Sequence, residues 1–252
     1  MEGPDRLSQI DTLWSVVRRA HDGTATGAQD AQRQLLFQYG HAIQRYLRTK
    51  LRDPSAADDV YQDFAVKFVR GDFHKATPEK GRFRTFIRTV LYRQVADFYR
   101  ERKRKGDVQL NQELIDPVAP SDDDARNDQF AEVWRDEMLK KAWDGLYKLQ
   151  KTSDKHWYTV LQLRVNNPEM RSAQLASALS DEIGKPISSA NVRVLLHRSR
   201  EKFSGLLIET IADSLDSTCY EEIEAELADL QLLDYCHAAL EVLKQKAQTE
   251  DA

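Results

Sequence analysis

The sequence has 252 residues, 41% of them hydrophobic and 31% charged, and its mean hydropathy is -0.64. No apolar run approaches the roughly 20 residues of a membrane-spanning helix, and the first ten residues, MEGPDRLSQI, lack the apolar segment of a signal peptide. Two cysteines are too few for a disulfide framework. The composition therefore predicts a soluble, helix-rich, cytoplasmic protein.

The charge is distributed unevenly along the chain. The formal net charge is -4, yet the segment 82–105 contains nine Lys and Arg against only Asp97 and Glu101. Residues 116–137 and the tail from Asp216 onward are acidic. Because charges separated by more than a Debye length of about 8–10 Å are largely screened, the negative total does not exclude a nucleic-acid partner.

Apolar residues recur at helical spacing from the segment AQRQLLFQYGHAIQRYLRTKL onward. In the next segment, RDPSAADDVYQDFAVKFVRG, Ser55 is the expected N-cap after Pro54. Asp58 and Asp59 would then lie in the first turn, where the helix dipole favours them, and Gly71 would end the helix. The expected buried stripe of this helix is Ala57, Val60, Phe64 and Phe68.

A third long helix is expected after the loop GDFHKATPEKG, extending to about Lys103. Periodicity then disappears, and the proline-broken, acidic segment 106–128 is predicted to be a linker. Helices resume at about 129–149 and 156–165. One long acidic helix over residues 220–245 is expected to close the chain.

Between these helices the segment RSAQLASALSDEIGKPISSANVRVLLHRSREKF predicts two helices joined by a turn. Ser172 can cap the first, which would end at Ile183 with Gly184 just beyond it. Ser188 or Ser189 can cap the second. The fold class is therefore all-α, with domains expected at 1–105 and 129–215, the linker 106–128 between them, and a C-terminal helical extension at 216–252.

The two joined helices form a helix-turn-helix pattern, in which the second helix enters the major groove of DNA. The candidate DNA-binding residues on it are Ser189, Asn191, Arg193, His197, Arg198 and Arg200. The turn DEIGKPIS is longer than the usual three or four residues. An ordinary helical hairpin with a solvated cationic face is the alternative.

The segment KGRFRTFIRTVLYRQVADFYRERKR interleaves cations with aromatic rings. Cations can bind phosphates, and unpaired bases stack on exposed rings with about 1–3 kcal/mol per base. Spacing places Phe83, Phe86 and Phe98 in the core, whereas Tyr92 and Tyr99 are expected to be exposed. The candidate DNA-binding residues of this segment are Arg82, Arg84, Arg88, Tyr92, Arg93, Arg100, Arg102 and Lys103.

Polar residues share one face of the preceding helix, opposite its apolar stripe. They are Asp58, Asp59, Gln62 and Asp63. Such a ridge can bind a basic partner surface, although an acidic face is more often simply solvated. No histidine or nucleophile accompanies these carboxylates.

Taken in order, these features resemble a bacterial sigma factor of the extracytoplasmic-function type. The family pattern of an acidic D-x-V-Q-E-x-F-like helix has its counterpart in DVYQDF (59–64), and F-R-x-W-L in FRTFI (83–87). The D-x-x-R motif corresponds to Asp97 and Arg100, and the family's recognition helix to VRVLLHRSRE (192–201). The segments LWSVVRRAHDG and EKGRFRTF also resemble a subgroup abundant in planctomycete-type genomes.

The resemblance implies a dissociable specificity subunit of RNA polymerase without a cofactor. The residues Asp58, Asp59, Gln62 and Asp63 would bind the clamp helices of the largest polymerase subunit. The aromatic-basic segment would open and hold the proximal promoter element, and the helix-turn-helix would read the distal element as duplex. The acidic linker would follow the RNA exit path.

The chain departs from the family pattern at Phe86, where tryptophan is usual, and in its acidic tail after Leu215. The tail can fold back on a basic surface and inhibit the protein, recruit a regulator, or simply pack on the second domain. The sequence leaves open whether an anti-sigma protein or a kinase acts on the chain.

Two other classes of protein are alternatives to this one. A helix-turn-helix regulator would bind duplex DNA without polymerase and would not need the aromatic-basic segment. An enzyme is disfavoured because the sequence has no phosphate-binding glycine loop and no metal-ligand spacing.

Overall fold

The computed structural model describes residues 25–70, 72–73, 83–105, 129–215 and 219–250. The residues within these ranges form helices and no strand, which confirms the predicted all-α class. The helices are α1 (Ala25–Leu51), α2 (Pro54–Arg70), α3 (Phe83–Arg104), α4 (Gln129–Lys151), α5 (Trp157–Asn166), α6 (Ser172–Ile183), α7 (Ser189–Ala212), α8 (Tyr220–Asp229) and α9 (Leu233–Glu250). Throughout this part of the chain, no helix is both long and apolar enough to cross a membrane.

The chain divides into two compact units. Unit 1 comprises residues 1–136 and 212–230, and unit 2 comprises residues 137–211 and 231–252. The expected linker 106–128 lies outside the described residues. The division of the tail between the two units was not foreseen from the sequence.

In unit 1, helices α1, α2 and α3 pack against one another. The expected stripe of α2 is buried, and Ala56 joins it. Phe73, just beyond α2, contacts the rings of Phe64 and Phe68 with centroid distances of 5.8 and 6.2 Å. It also meets Phe86 of α3 edge-on at 5.7 Å. Phe86 is thus a packing residue of this aromatic cluster.

The start of α2 differs from the sequence expectation. The carboxylate Oδ1 of Asp53 accepts hydrogen bonds from the backbone N–H groups of Ser55 (3.0 Å) and Ala56 (3.4 Å). Asp53 is therefore the N-cap, and Pro54 occupies the first helical position, where its missing N–H costs nothing. The expectation that Ser55 caps the helix was wrong. Asp58 and Asp59 consequently lie one turn further along, since no acidic residue falls in the first turn.

Unit 1 is completed by the beginning of α4 and by α8. The rings of Phe130 and Trp134, both fully buried, pack on tyrosines of α1. Ile223 and Leu227 are the buried apolar residues of α8.

In unit 2, α5 and α6 pack together, and a core of Val160, Leu175, Leu179, Val192 and Leu196 joins them to α7. Helix α6 ends at Ile183, and Gly184 just beyond it has a left-handed φ of 67°, as predicted. The expectation that Ser172 caps this helix was wrong, because Arg171 is the N-cap and Ser172 is the first helical residue. At the start of α7 the hydroxyl of Ser188 accepts a hydrogen bond from the N–H of Asn191 (3.2 Å). Ser188 is therefore the cap of α7, and Ser189 begins the helix.

The acidic tail forms two helices, so the expectation of one long helix over residues 220–245 was wrong. Helix α8 ends at Asp229 and α9 begins at Leu233. Between them Gln231 has a φ of 57°, which a continuous right-handed helix cannot contain. Leu230 and Leu232 are both buried at this break. These apolar residues, which suggested a continuous helix, therefore anchor the turn.

Candidate nucleic-acid and polymerase interface

The acidic ridge of α2 lies on the solvent side of the helix. Asp59, Gln62 and Asp63 are exposed, while Val60 and Phe64 on the opposite side are buried. Asp58 is half-buried and accepts a hydrogen bond from Arg48 of α1 at 3.2 Å. Three of the four candidate residues thus lie together on an open surface, and the fourth, Asp58, forms a partly exposed ion pair with Arg48.

A cleft of about 500 Å³ separates the ridge from the C-terminal part of α3. Asp59 and Asp63 line one side, and Asp97, Phe98 and Arg102 line the other. At its base lies Gln94, only 8% exposed. The amide of Gln94 has no hydrogen-bond partner in the part of the chain that the structure describes. Gln94 was not among the candidate residues predicted from the sequence. The only feature that distinguishes it there is a neutral amide side chain within a basic segment.

The candidate DNA-binding residues of α3 fall into two groups. Arg93, Arg100 and Lys103 are exposed, and Arg102 is half-buried. Arg100 pairs with Asp97 at 2.5 Å, within the D-x-x-R motif. Arg84 and Arg88, in contrast, are buried, with exposures of 4% and 3%. Arg82 lies outside the described residues.

The tyrosines of α3 are less exposed than the sequence suggested, because both Tyr92 and Tyr99 are half-buried. The hydroxyl of Tyr99 donates a hydrogen bond to the backbone oxygen of Lys50 at 3.1 Å. The ring of Phe98 lies edge-on to Tyr99 and 5.7 Å from the guanidinium carbon of Arg102. Phe98, which was expected in the core, is therefore half-buried and lines the cleft beside Arg102.

The partner of Arg84 lies far away in the sequence. Its Nε donates to Oε1 of Glu226 at 2.8 Å, and its Nη2 donates to Oε2 of the same carboxylate at 3.4 Å. Asp229 is 3.5 Å from Nη2. Both acidic residues belong to α8, so an arginine of the basic segment is held by the acidic tail within unit 1.

The candidate residues of α7 lie on two faces of the helix. Asn191, Val194 and Arg198, spaced three and four residues apart, line one cleft. Arg193, His197 and Arg200 follow the same spacing on another face, and all three are exposed. His197 lies 3.5 Å from Glu201. Ser189 is half-buried at the start of the helix.

The cleft beside α7 contains residues that sequence reasoning missed. Lys155, His156 and Trp157 line it opposite Asn191 and Arg198. Within the described ranges, the indole Nε1–H of Trp157 has no acceptor. Nζ of Lys202 is 5.8 Å from the Trp157 ring. The walls of the cleft thus carry the cations Lys155 and Arg198 and the amide of Asn191, side-chain types that bind phosphate oxygens.

The described residues contain no group of three or more His, Cys, Asp and Glu side chains that could hold a metal ion. Neither Cys219, which is exposed, nor Cys236, which is buried, forms a disulfide bond. Burial raises the pKa of the Cys236 thiol to about 12.

Residues 35–105 match the family model of sigma-70 region 2. The match spans less than a third of the 252 residues, but it includes the acidic ridge and the whole of α3. It supports membership of the sigma-70 family and a sigma factor role in promoter recognition by RNA polymerase. Core polymerase and promoter DNA are the partners that such a region implies. No curated protein and no solved structure showed significant similarity to the chain.

Proposed function

We propose that the protein is a sigma factor of the extracytoplasmic-function type, which binds core RNA polymerase and directs promoter-specific initiation in the cytoplasm. The observation that carries this proposal is the pairing, inside the matched residues 35–105, of an exposed acidic ridge with a basic, aromatic helix. The two surfaces have opposite charge and adjoin one cleft. A protein that bound only duplex DNA would not need the acidic surface.

Asp59, Gln62 and Asp63 form the polymerase-binding surface in this proposal, with Asp58 at its edge. Their partner is the basic surface of the clamp helices in the largest polymerase subunit. Complementary charge raises the rate of association and suppresses wrong partners more than it adds affinity. The ridge would therefore act mainly by positioning the sigma factor on the polymerase.

Helix α3 binds the proximal promoter element as a single strand. The exposed cations Arg93, Arg100 and Lys103 would bind the backbone, and the Phe98–Arg102 pair offers a stacking surface for an unpaired base. Tyr92 and Tyr99 contribute only the exposed parts of their rings. The other candidate DNA-binding residues of this segment are Arg82, Arg84 and Arg88.

Helix α7 reads the distal element as duplex. Asn191 lies in its first turn, where residues of a recognition helix meet base edges, and asparagine can bind adenine with two hydrogen bonds. The candidates Ser189, Arg193, His197, Arg198 and Arg200 follow along the helix. We also propose that the protein belongs to a planctomycete-type subgroup and that an anti-sigma protein or a kinase controls it.

Run-off transcription with core polymerase tests the proposal. The variant Asp59→Arg/Asp63→Arg should lose promoter-specific transcripts, because like charges would oppose the clamp helices. The matched control Asp144→Arg/Asp234→Arg makes the same charge change at two exposed carboxylates of unit 2 and should retain them. If the wild type binds duplex promoter DNA alone and never stimulates core polymerase, the protein is instead a helix-turn-helix regulator.

A further inference from the structure

The guanidinium of Arg84 occupies an acidic site built by α8. Glu226 accepts from Nε and Nη2, at 2.8 and 3.4 Å, and Asp229 lies 3.5 Å from Nη2. The side chains of Arg84 and Glu226 are only 5% and 2% exposed, whereas that of Asp229 is 37% exposed. One cation thus faces two carboxylates, and the arrangement carries a net negative charge.

This arrangement is also the one that a guanidinium adopts on a phosphate. The planar guanidinium places its N–H groups so that two oxygens of one anion can accept in parallel, whether the anion is a carboxylate or a phosphodiester. The carboxylates of Glu226 and Asp229 therefore present to Arg84 the acceptors that a nucleic-acid backbone would present.

Helix α8 has the composition of a segment that covers a basic surface. Glu221, Glu222 and Glu224 follow its N-cap and add to Glu226 and Asp229, and no basic residue lies in its last turn. Ile223 and Leu227 are buried, which holds the helix in place. The contact joins residues 142 positions apart in the sequence.

We propose that α8 is an autoinhibitory segment that competes with single-stranded nucleic acid for Arg84. While α8 is docked, Arg84 is buried and α3 presents only its outer cations. When α8 leaves, Arg84 becomes available to a phosphodiester. The inference rests on the proposed role of α3 in binding single strands.

A matched pair of variants in the full chain separates this competition from a change in net charge. Glu226→Gln weakens the hold on Arg84, whereas Glu222→Gln removes the same charge from an exposed position of α8. The readout is fluorescence anisotropy of a labelled single-stranded oligonucleotide. Glu226→Gln should bind it about tenfold more tightly, with a salt dependence steeper by about 0.7 in log–log slope, the value for one additional phosphate contact. Glu222→Gln should match the wild type.

The Arg84→Gln change shows whether the gain in oligonucleotide affinity depends on Arg84. In the Glu226→Gln background it should return the affinity to the wild-type value. Arg93→Gln, at an exposed position of α3, should weaken binding by the same factor in both backgrounds. Equal gains from Glu226→Gln and Glu222→Gln, or a gain that survives Arg84→Gln, overturn the proposal.

A second measurement needs no change at the buried pair. Cys219, exposed immediately before α8, accepts a nitroxide label, while the buried Cys236 does not. Saturating single-stranded oligonucleotide should shift the electron paramagnetic resonance spectrum toward a mobile label as α8 leaves. An unchanged spectrum at saturation means that α8 and nucleic acid bind together, and the proposal is wrong.

The transcription assay separates this failure from failure of the proposed function. If promoter-specific transcripts form but neither variant alters oligonucleotide binding, the sigma role stands and the competition is rejected. If Glu226→Gln increases binding through Arg84 but core polymerase is never stimulated, the competition stands and the sigma role is rejected.

Discussion

The indole of Trp134 stacks on the ring of Tyr39, with ring centroids 4.8 Å apart and planes 9° from parallel. Trp134 belongs to α4 and Tyr39 to α1, and both lie within unit 1. The first turns of α4 are therefore part of the same core as the helices that carry the acidic ridge.

Replacing Trp134 by Ala should destabilise unit 1 by about 3–5 kcal/mol, because a fully buried ring is lost and a cavity remains. Urea denaturation followed by circular dichroism measures the change. The control Tyr235→Ala removes a ring that is 69% exposed and should cost within about 0.5 kcal/mol. Equal effects of the two variants would show that Trp134 does not pack in the core.

Gly40 of α1 lies close to the side chain of Tyr61 in α2. A Cβ at this position would stand 2.5 Å from the hydroxyl oxygen of Tyr61 and 3.5 Å from the ring carbon that bears it. Gly40→Ala should therefore destabilise the wild type by about 1–3 kcal/mol through overpacking.

In the Tyr61→Phe background the clashing oxygen is gone, so Gly40→Ala should be neutral or stabilising by up to about 1 kcal/mol, the helix preference of alanine. A double-mutant cycle of unfolding free energies checks this sign. A cost of Gly40→Ala that is equal in both backgrounds would rule out Tyr61 as the cause.

The cap of α2 gives a test of the structure against the sequence expectation. Asp53→Ala should cost about 0.5–2 kcal/mol of unfolding free energy, since two backbone N–H groups lose their acceptor. Ser55→Ala should be nearly neutral, and Asp53→Asn, which keeps a side-chain oxygen, should retain most of the stability. Thermal denaturation of the three variants measures these changes in stability. A larger loss of stability from Ser55→Ala than from Asp53→Ala would show that Ser55 is the cap.

On α7, position along the helix should separate specificity from affinity. Asn191→Ala should cost about 1–3 kcal/mol on the cognate duplex and relax the preference at one base pair. Arg200→Ala should weaken binding equally on all sequences and reduce the salt slope by about 1. Gel-shift titrations on matched and single-mismatch duplexes distinguish the two. Lys140→Ala, at an exposed position of α4, serves as the neutral control.

The two thiols should differ sharply in reactivity. Cys219 is exposed, while Cys236 is buried and its pKa is raised to about 12, so Cys236 stays protonated at pH 8. A thiol reagent should therefore modify one group per chain in the native protein and both in denaturant. Rapid modification of both in the native state would contradict the burial of Cys236.

Much of the local structure follows from the sequence alone. The buried stripe of α2, the extent of α3, the left-handed Gly184 and the helix-turn-helix segment depend on spacing and residue type within a few turns. Helix periodicity and capping chemistry act over that range, so the sequence predicts them directly. Even there, Asp53 took the place of Ser55, because Pro54 can occupy the first helical position.

The tertiary structure alone decided which residues are available at the candidate site. Arg84, Arg93 and Arg100 are equivalent as letters in a basic segment, yet Arg84 is buried against Glu226, 142 residues away, while the other two are exposed. The same holds for the break at Gln231 and for the stacking of Trp134 on Tyr39. Contacts between distant residues depend on the path of the whole chain, about which local spacing carries no information.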